Sequence, residues 1–207
     1  ALRVLDAWSV TPPPAVSRHL ALARPLSGHS PGEYRLIARP RDALDAAARA
    51  ARTLGWRVVD LGDAVDGEAR GVARDHASRA LATRGPALLL SGGELTVPLG
   101  TSPGQGGPHA EYALALALEL NGAAGIYALA CDTDGSDGAG PGAGAMVGPD
   151  TLSRARAIGL DPRAALENHD AGAFFERLGA TVKTGPTRTN VNDFRAILVG
   201  PEDPINR

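Results

Sequence analysis

The sequence predicts an α/β fold: a mixed, mostly parallel sheet with helices on both faces, in Rossmann-like layers. Three observations carry that expectation. Short apolar runs alternate with longer helix-forming segments in a β-α-β-α-β order. The strand candidates are apolar at consecutive positions, as in sheets covered on both sides. The segments between them are rich in Ala, Arg and Leu, which favour helix.

Residues 1–8 (ALRVLDAW) read as the last turns of an amphipathic helix; with no Met and no N-cap before it, the chain reads as a fragment. After Thr11-Pro12-Pro13-Pro14, residues 15–23 suit a short helix and residues 24–32 have connector composition. Residues 33–38 alternate as a strand, and Pro40-Arg41-Asp42 opens a long helix that Gly55 stops. A strand follows at 56–61, then the loop GDAVDG, a helix at 67–84 and an apolar strand at 87–90. Within 109–120, Leu114, Leu116, Leu118 and Leu120 alternate as a strand would. The absence of β-branched residues and the Asn121-Gly122 stop favour a buried helix instead. The remaining elements are a strand at 125–131, helices near 150–158, 162–168 and 171–178, and a closing strand at 194–199.

Composition narrows the class. With 207 residues, 43% hydrophobic and 21% charged, the chain is globular, with one large or two small domains. A net charge of -2 lacks the basic footprint of a nucleic-acid partner. No apolar run of about 18 residues suggests a membrane span. The single Cys131 cannot form an internal disulfide, which points to a cytoplasmic setting, and it reads as a small packed residue rather than a nucleophile. Of the 21 basic residues only Lys183 is a lysine, so phosphate handling here must use other groups.

Four polar segments sit where an open α/β sheet places ligands, near strand ends. Ser91-Gly92-Gly93-Glu94 could offer bare amides to an anion and a carboxylate to a cation. Gly104-Gln105-Gly106-Gly107 runs into a helix at Pro108, a potential anion site at a helix N-terminus, although no Walker Lys follows. Asp132-Thr133-Asp134-Gly135-Ser136-Asp137 gathers three carboxylates that a hard cation such as Mg²⁺ would neutralise. Residues 184–193 (TGPTRTNVND) supply hydroxyls, amides and Arg188, the natural anion partner. His109 and His169 lack zinc spacing and read as helix-end residues. A rival signal, Gly138-Ala139-Gly140-Pro141-Gly142-Ala143, matches the relaxed dinucleotide fingerprint, but lacks an acidic residue at the expected offset.

Together and in this order, the Ser91–Glu94 turn, Gly106-Gly107 with Glu111, Asp132–Gly135 and the 184–193 segment resemble the MOFRL domain. That domain forms the C-terminus of class II glycerate 2-kinases, a family also labelled hydroxypyruvate reductases. The resemblance divides the chain into a lead-in at 1–32 from an absent N-terminal lobe, the end of the family's N-terminal kinase sequence at 33–86, packed into the same α/β unit, and the MOFRL domain at 87–207.

The resemblance implies transfer of the ATP γ-phosphate to D-glycerate with Mg²⁺, in a cleft shared with that N-terminal kinase lobe. It implies Asp134 and Asn190 as catalytic. Ser91, Gly92, Gly93, Gly106, Gly107, Arg188, Thr189 and Asn192 would bind substrate or phosphate, and Asp132, Asp134 and Glu94 the metal. One departure stands out: many members have Gly-Gly-Arg-Asn-Gln-Glu where this chain has Gly106-Gly107-Pro108-His109-Ala110-Glu111. The family's catalytic lysine belongs to the absent lobe, so the fragment alone is expected to be inactive. An NAD(P)H-dependent hydroxypyruvate reductase, a non-catalytic ligand-binding domain and a homodimer all stay open.

Overall fold

The computed structural model describes residues 1–23, 32–98 and 104–200; the expected connector at 24–32 lies outside them except for Gly32. Contacts divide the chain into two units, Ala1–Leu36 and Ile37–Arg207. The first contains α1 (Leu2–Ala7) and α2 (Pro14–Leu22), neither of which buries a residue. The strand expected at 33–38 is absent. These residues join no ladder, and Tyr34 is 86% exposed and Ile37 88%. Alternation alone cannot make a strand when no neighbouring backbone pairs with it.

The second unit begins with α3 (Pro40–Thr53), whose first turn is closed by Asp42 accepting the Arg39 N–H at 2.8 Å. Then follow β1 (Arg57–Asp60), β2 (Val65–Glu68), α4 (Ala69–Ala82), β3 (Ala87–Ser91) and β4 (Gly93–Thr96). The remaining elements are α5 (Pro108–Leu120), β5 (Ile126–Asp132), β6 (Gly144–Val147), α6 (Thr151–Ala157), α7 (Pro162–Glu167), α8 (Ala171–Leu178), β7 (Thr181–Val182) and β8 (Asp193–Val199). No helix among the described residues is long and apolar enough to cross a membrane.

The main sheet has the order β1-β3-β8-β5-β6-β7. Only β1 and β3 pair in parallel; β8 runs antiparallel to both β3 and β5, and β5–β6 and β6–β7 are antiparallel too. The expectation of a mostly parallel, Rossmann-like sheet is therefore corrected. Two features reverse it. The last strand is inserted between β3 and β5, and the 133–143 segment returns from β5 to β6 without the crossover helix that a parallel pair requires. A separate two-stranded parallel ladder joins β2 to β4, where the sequence suggested loop and turn.

The expected helices on both faces are present, and strand alternation shows why. Ala87 and Leu89 of β3, with Ile197 and Val199 of β8, join the larger core with α4 and α5. Leu90, with Leu88, Phe194 and Ala196, faces the other way, toward Leu44 and Ala48 of α3. Small residues Ala69, Ala73, Ala77 and Ala80 line the core side of α4. They share that core with the buried Tyr112–Ala117 stretch of α5, where the Leu alternation folds as helix because Ala, Leu and Glu are strong helix formers.

One buried polar pair ties these helices together: His76 Nδ1 lies 2.9 Å from the Tyr112 hydroxyl. Burial, with the nearby Arg195 charge, lowers the His76 pKa to about 4. Unfolded His76 binds its proton near pH 6.5, so between 6.5 and 4 the unfolded state holds more protons and stability falls as pH falls. Urea midpoints at pH 7 and pH 4.5 are expected to drop less for His76→Gln than for the parent; equal drops would contradict this.

The register brings the chemistry to one end of the sheet. Asp132, ending β5, lies opposite Asp193, which starts β8, and Ser91, ending β3, lies opposite Arg195.

Candidate functional site

In β8 the core-facing positions are Asp193, Arg195, Ile197 and Val199, so alternation carries two charges into the apolar face. Arg195 is 1% exposed. Its Nε donates to Ser91 Oγ at 3.0 Å, its other nitrogens donate to Asp193 Oδ2 and the Gly92 carbonyl, and its guanidinium lies 5.7 Å from the Tyr112 ring centre. Asp193 Oδ2 also accepts the Leu95 N–H at 3.1 Å. These bonds tie the β3–β4 turn to the start of β8.

Beside them, His109 Nε2 lies 3.2 Å from Asp193 Oδ1 and 3.9 Å from Asp132 Oδ2. Burial opposes charge on His109, but Asp132 and Asp193 outweigh it and raise its pKa to about 9. Asp132 is lowered in turn, chiefly by His109. Glu94 is raised, first by burial and then by Asp193 and Asp132, with His109 and Arg195 acting the other way. Burial, then Asp132, pushes the Cys131 thiol up to about 11, which makes it a poor nucleophile.

The Asp132–Asp137 loop and the 184–193 segment are sewn together. Thr133 Oγ1 donates to the Asn192 carbonyl at 2.8 Å and accepts the Val191 N–H at 2.8 Å; the Thr187 N–H donates to the Asp134 carbonyl at 3.0 Å. Asp134 is fixed by the Asp132 carboxylate accepting its N–H, and its own Oδ1 accepts the Ser136 N–H, both at 2.8 Å. Asn190 Nδ2 lies 3.5 Å from Asp134 Oδ2, and Asn190 Oδ1 accepts the Asn192 N–H at 2.7 Å. Thus Asp134, Asn190, Arg188 and Thr189 line one open cavity of about 520 Å³, with Gly135 and Ser136. Asn192 is adjacent in the chain and takes positive φ, as does Arg188.

Two glycine segments do other work than expected. The Gly92 N–H donates to the Gly62 carbonyl at 2.8 Å, and Gly93 lies in the β2–β4 ladder, where a Cβ would meet the Val65 carbonyl oxygen at 2.0 Å. The Gly92 amide and Ser91 hydroxyl are therefore engaged by the chain itself. At α5 the N-terminal amides already hold an anion: Asp137 accepts the His109 N–H at 3.0 Å and the Ala110 N–H at 2.8 Å. The open amide cradle expected beyond Gly106-Gly107 is corrected accordingly. A Cβ on Gly107 would lie 2.2 Å from Asp137 Oδ1 and 2.5 Å from its backbone carbon. Gly107→Ala is expected to lose about 1–3 kcal/mol through overpacking, read as a lower chemical-denaturation midpoint; an unchanged midpoint would contradict it.

Gly106 and Gly107 instead border a second cavity, of about 270 Å³, with Glu111 and His169 in its wall. Buried Glu111 is held by Arg70 Nε at 2.7 Å and lies 3.0 Å from His169 Nδ1. The Gly138–Ala143 stretch leads into β6, not a helix, so it lacks the strand-to-helix setting of a dinucleotide loop.

The sequence placed Asp137 among the cation-binding carboxylates and Asp193 at the end of the 184–193 segment, read His109 as a helix-end residue, and did not single out Arg195. For Asp193 and Arg195 a signal existed, since period-two alternation puts them on the face of Ile197. Nothing local distinguished His109, whose role depends on two strands distant in sequence.

With this geometry in hand, comparison with known proteins is informative. The MOFRL family model matches residues 87–193. An Agrobacterium vitis protein named "Putative hydroxypyruvate reductase" is 47% identical over 97% of this chain and 54% of its own length. D-glycerate 2-kinase of Thermotoga maritima is 33% identical over 93% of this chain and 48% of that protein. The crystal structure of glycerate kinase from Thermotoga maritima superposes with a TM-score of 0.81 at 32% identity, covering 96% of this chain and 49% of that one. The chain thus spans about half the length of these relatives.

Proposed function

The chain belongs to the MOFRL family, and from that premise we propose that it forms the C-terminal part of a glycerate 2-kinase that transfers the ATP γ-phosphate to D-glycerate. The observation that carries this reading is the meeting of Asp134 and Asn190 across two sewn loops, in a cavity rimmed by Arg188 and Thr189. Phosphoryl transfer needs positioning and charge neutralisation more than covalent chemistry.

In this reading Asp134 accepts a hydrogen bond from the 2-hydroxyl of glycerate and holds it for attack on the γ-phosphorus. Asn190 keeps the Asp134 carboxylate in place. Arg188, which has no hydrogen bond or ion pair among the described residues, takes the glycerate carboxylate or a phosphate oxygen, with Thr189 and Asn192 beside it. Oxygen-only donors suit Mg²⁺. Asp134 would hold it with phosphate oxygens and water; the carboxylates of Asp132 and Glu94 are not gathered with that of Asp134 into one ligand group among the described residues; bound there, Mg²⁺ would supply neutralising charge to the phosphates. Of the glycine segments, Gly106 and Gly107 shape the neighbouring cavity, whereas Ser91, Gly92 and Gly93 hold the strand ends.

In this reading the part of the relatives' length that this chain does not span would supply the remaining phosphate contacts, a lysine among them. The test uses the complete protein with D-glycerate, Mg²⁺ and ATP, and in parallel with hydroxypyruvate and NADH. Glycerate-dependent ADP release is the expected result. NADH consumption without ADP release would replace the kinase with a reductase, and activity in neither would favour a ligand-binding domain. The 207-residue chain alone is expected to release no ADP above background in the same assay; turnover by it would show that the other half is dispensable.

A further inference from the structure

We propose that His109, Asp132 and Asp193 form a binding site for a transition-metal dication such as Mn²⁺, distinct from the Mg²⁺ position on Asp134. One ligand atom from each residue falls within 4.8 Å of the others. Two donors on an ion with bonds of about 2.0–2.2 Å lie at most about 4.4 Å apart, and the separations from His109 Nε2, 3.2 and 3.9 Å, are inside that limit.

Hydrogen bonding prepares the donors. Asp193 commits Oδ2 to the Leu95 N–H and to Arg195, which leaves Oδ1 turned toward His109. Asp132 commits Oδ1 to the Asp134 N–H, which leaves Oδ2 turned the same way. Each carboxylate therefore has one oxygen fixed by an outer partner and one directed at a shared point, the arrangement by which outer bonds orient metal ligands. Among the described residues His109 Nδ1 is buried with no hydrogen-bond partner, so the two carboxylates are what the ring pairs with, and a dication bound there takes the place of the Nε2 proton that they otherwise hold.

The donor set chooses the ion. Imidazole with two carboxylates suits Mn²⁺, Fe²⁺ or Zn²⁺, whereas Mg²⁺ prefers oxygen ligands and retained water. The side chains of His109 and Asp193 are only 3% and 1% exposed, and that of Asp132 is 18% exposed, so an ion enters from the Asp132 side, along the loop that carries Asp134.

The test is a titration of the metal-stripped complete protein with Mn²⁺ alone, without nucleotide, followed by electron paramagnetic resonance with detection of ¹⁴N coupling. One tight Mn²⁺ with nitrogen coupling is expected. His109→Asn should remove the coupling and weaken binding at least tenfold. Asp132→Asn, at the more exposed ligand, should weaken it comparably and serves if the first variant fails to fold. Asp134→Asn should leave affinity within about twofold. No bound Mn²⁺, no nitrogen coupling, or binding unchanged in both ligand variants overturns the proposal. Because ADP release is not read, failure of the kinase reading leaves this result standing.

Discussion

Replacing Asp134 by Asn in the complete protein is expected to lower glycerate-dependent ATP turnover by about 10²–10⁴-fold, the range for losing a charged group that engages a transferring proton. The fold should survive. Asn keeps an oxygen able to accept the Ser136 N–H, and the Asp134 backbone N–H and carbonyl, bonded to Asp132 and Thr187, are untouched. What disappears is the negative charge beside Asn190, with its capacity to orient a hydroxyl and hold a cation. Turnover measured at saturating glycerate and ATP, with an unchanged thermal melt, isolates that loss. Activity within about threefold of the parent would remove Asp134 from the chemistry.

The sequence made some parts of this site legible and hid others for reasons that can be stated. Asp134 and the 184–193 segment were readable because a concentration of short polar residues at strand ends exceeds what a turn requires. Two helix-ending positions with positive φ were readable too, Gly55 after α3 and Asn121 at the end of α5. Strand direction was not. It depends on β8 entering between β3 and β5, a pairing across more than 60 residues that leaves no local mark. The anion at α5 was hidden for a similar reason. Gly106-Gly107 pointed to amides in need of a negative group, and the His109 and Ala110 amides hold Asp137 of the same chain. A glycine-rich loop before a helix therefore predicts an anion without saying whose it is.

Asp193→Ala is expected to destabilise the fold by about 3–5 kcal/mol. Arg195 is 1% exposed and cannot reach water, so removing Asp193 leaves a buried guanidinium with only the Ser91 hydroxyl and Gly92 carbonyl. The Leu95 N–H loses its acceptor as well, which loosens β4 from the start of β8. For a domain of this size, such a loss corresponds to a fall in melting temperature of roughly 6–20 °C. The cost belongs to the unpaired charge rather than to the pair, so removing both charges should restore part of it. Asp193→Ala combined with Arg195→Met is expected to be more stable than Asp193→Ala alone, because an apolar chain can then pack against Tyr112 and the buried guanidinium is gone, while His109 keeps Asp132 as its carboxylate. Denaturation midpoints of the two single variants and the double variant decide it. Equal destabilisation by Asp193→Ala with and without Arg195→Met would mean that Arg195 finds another partner, and strictly additive losses would mean that the two residues are not coupled.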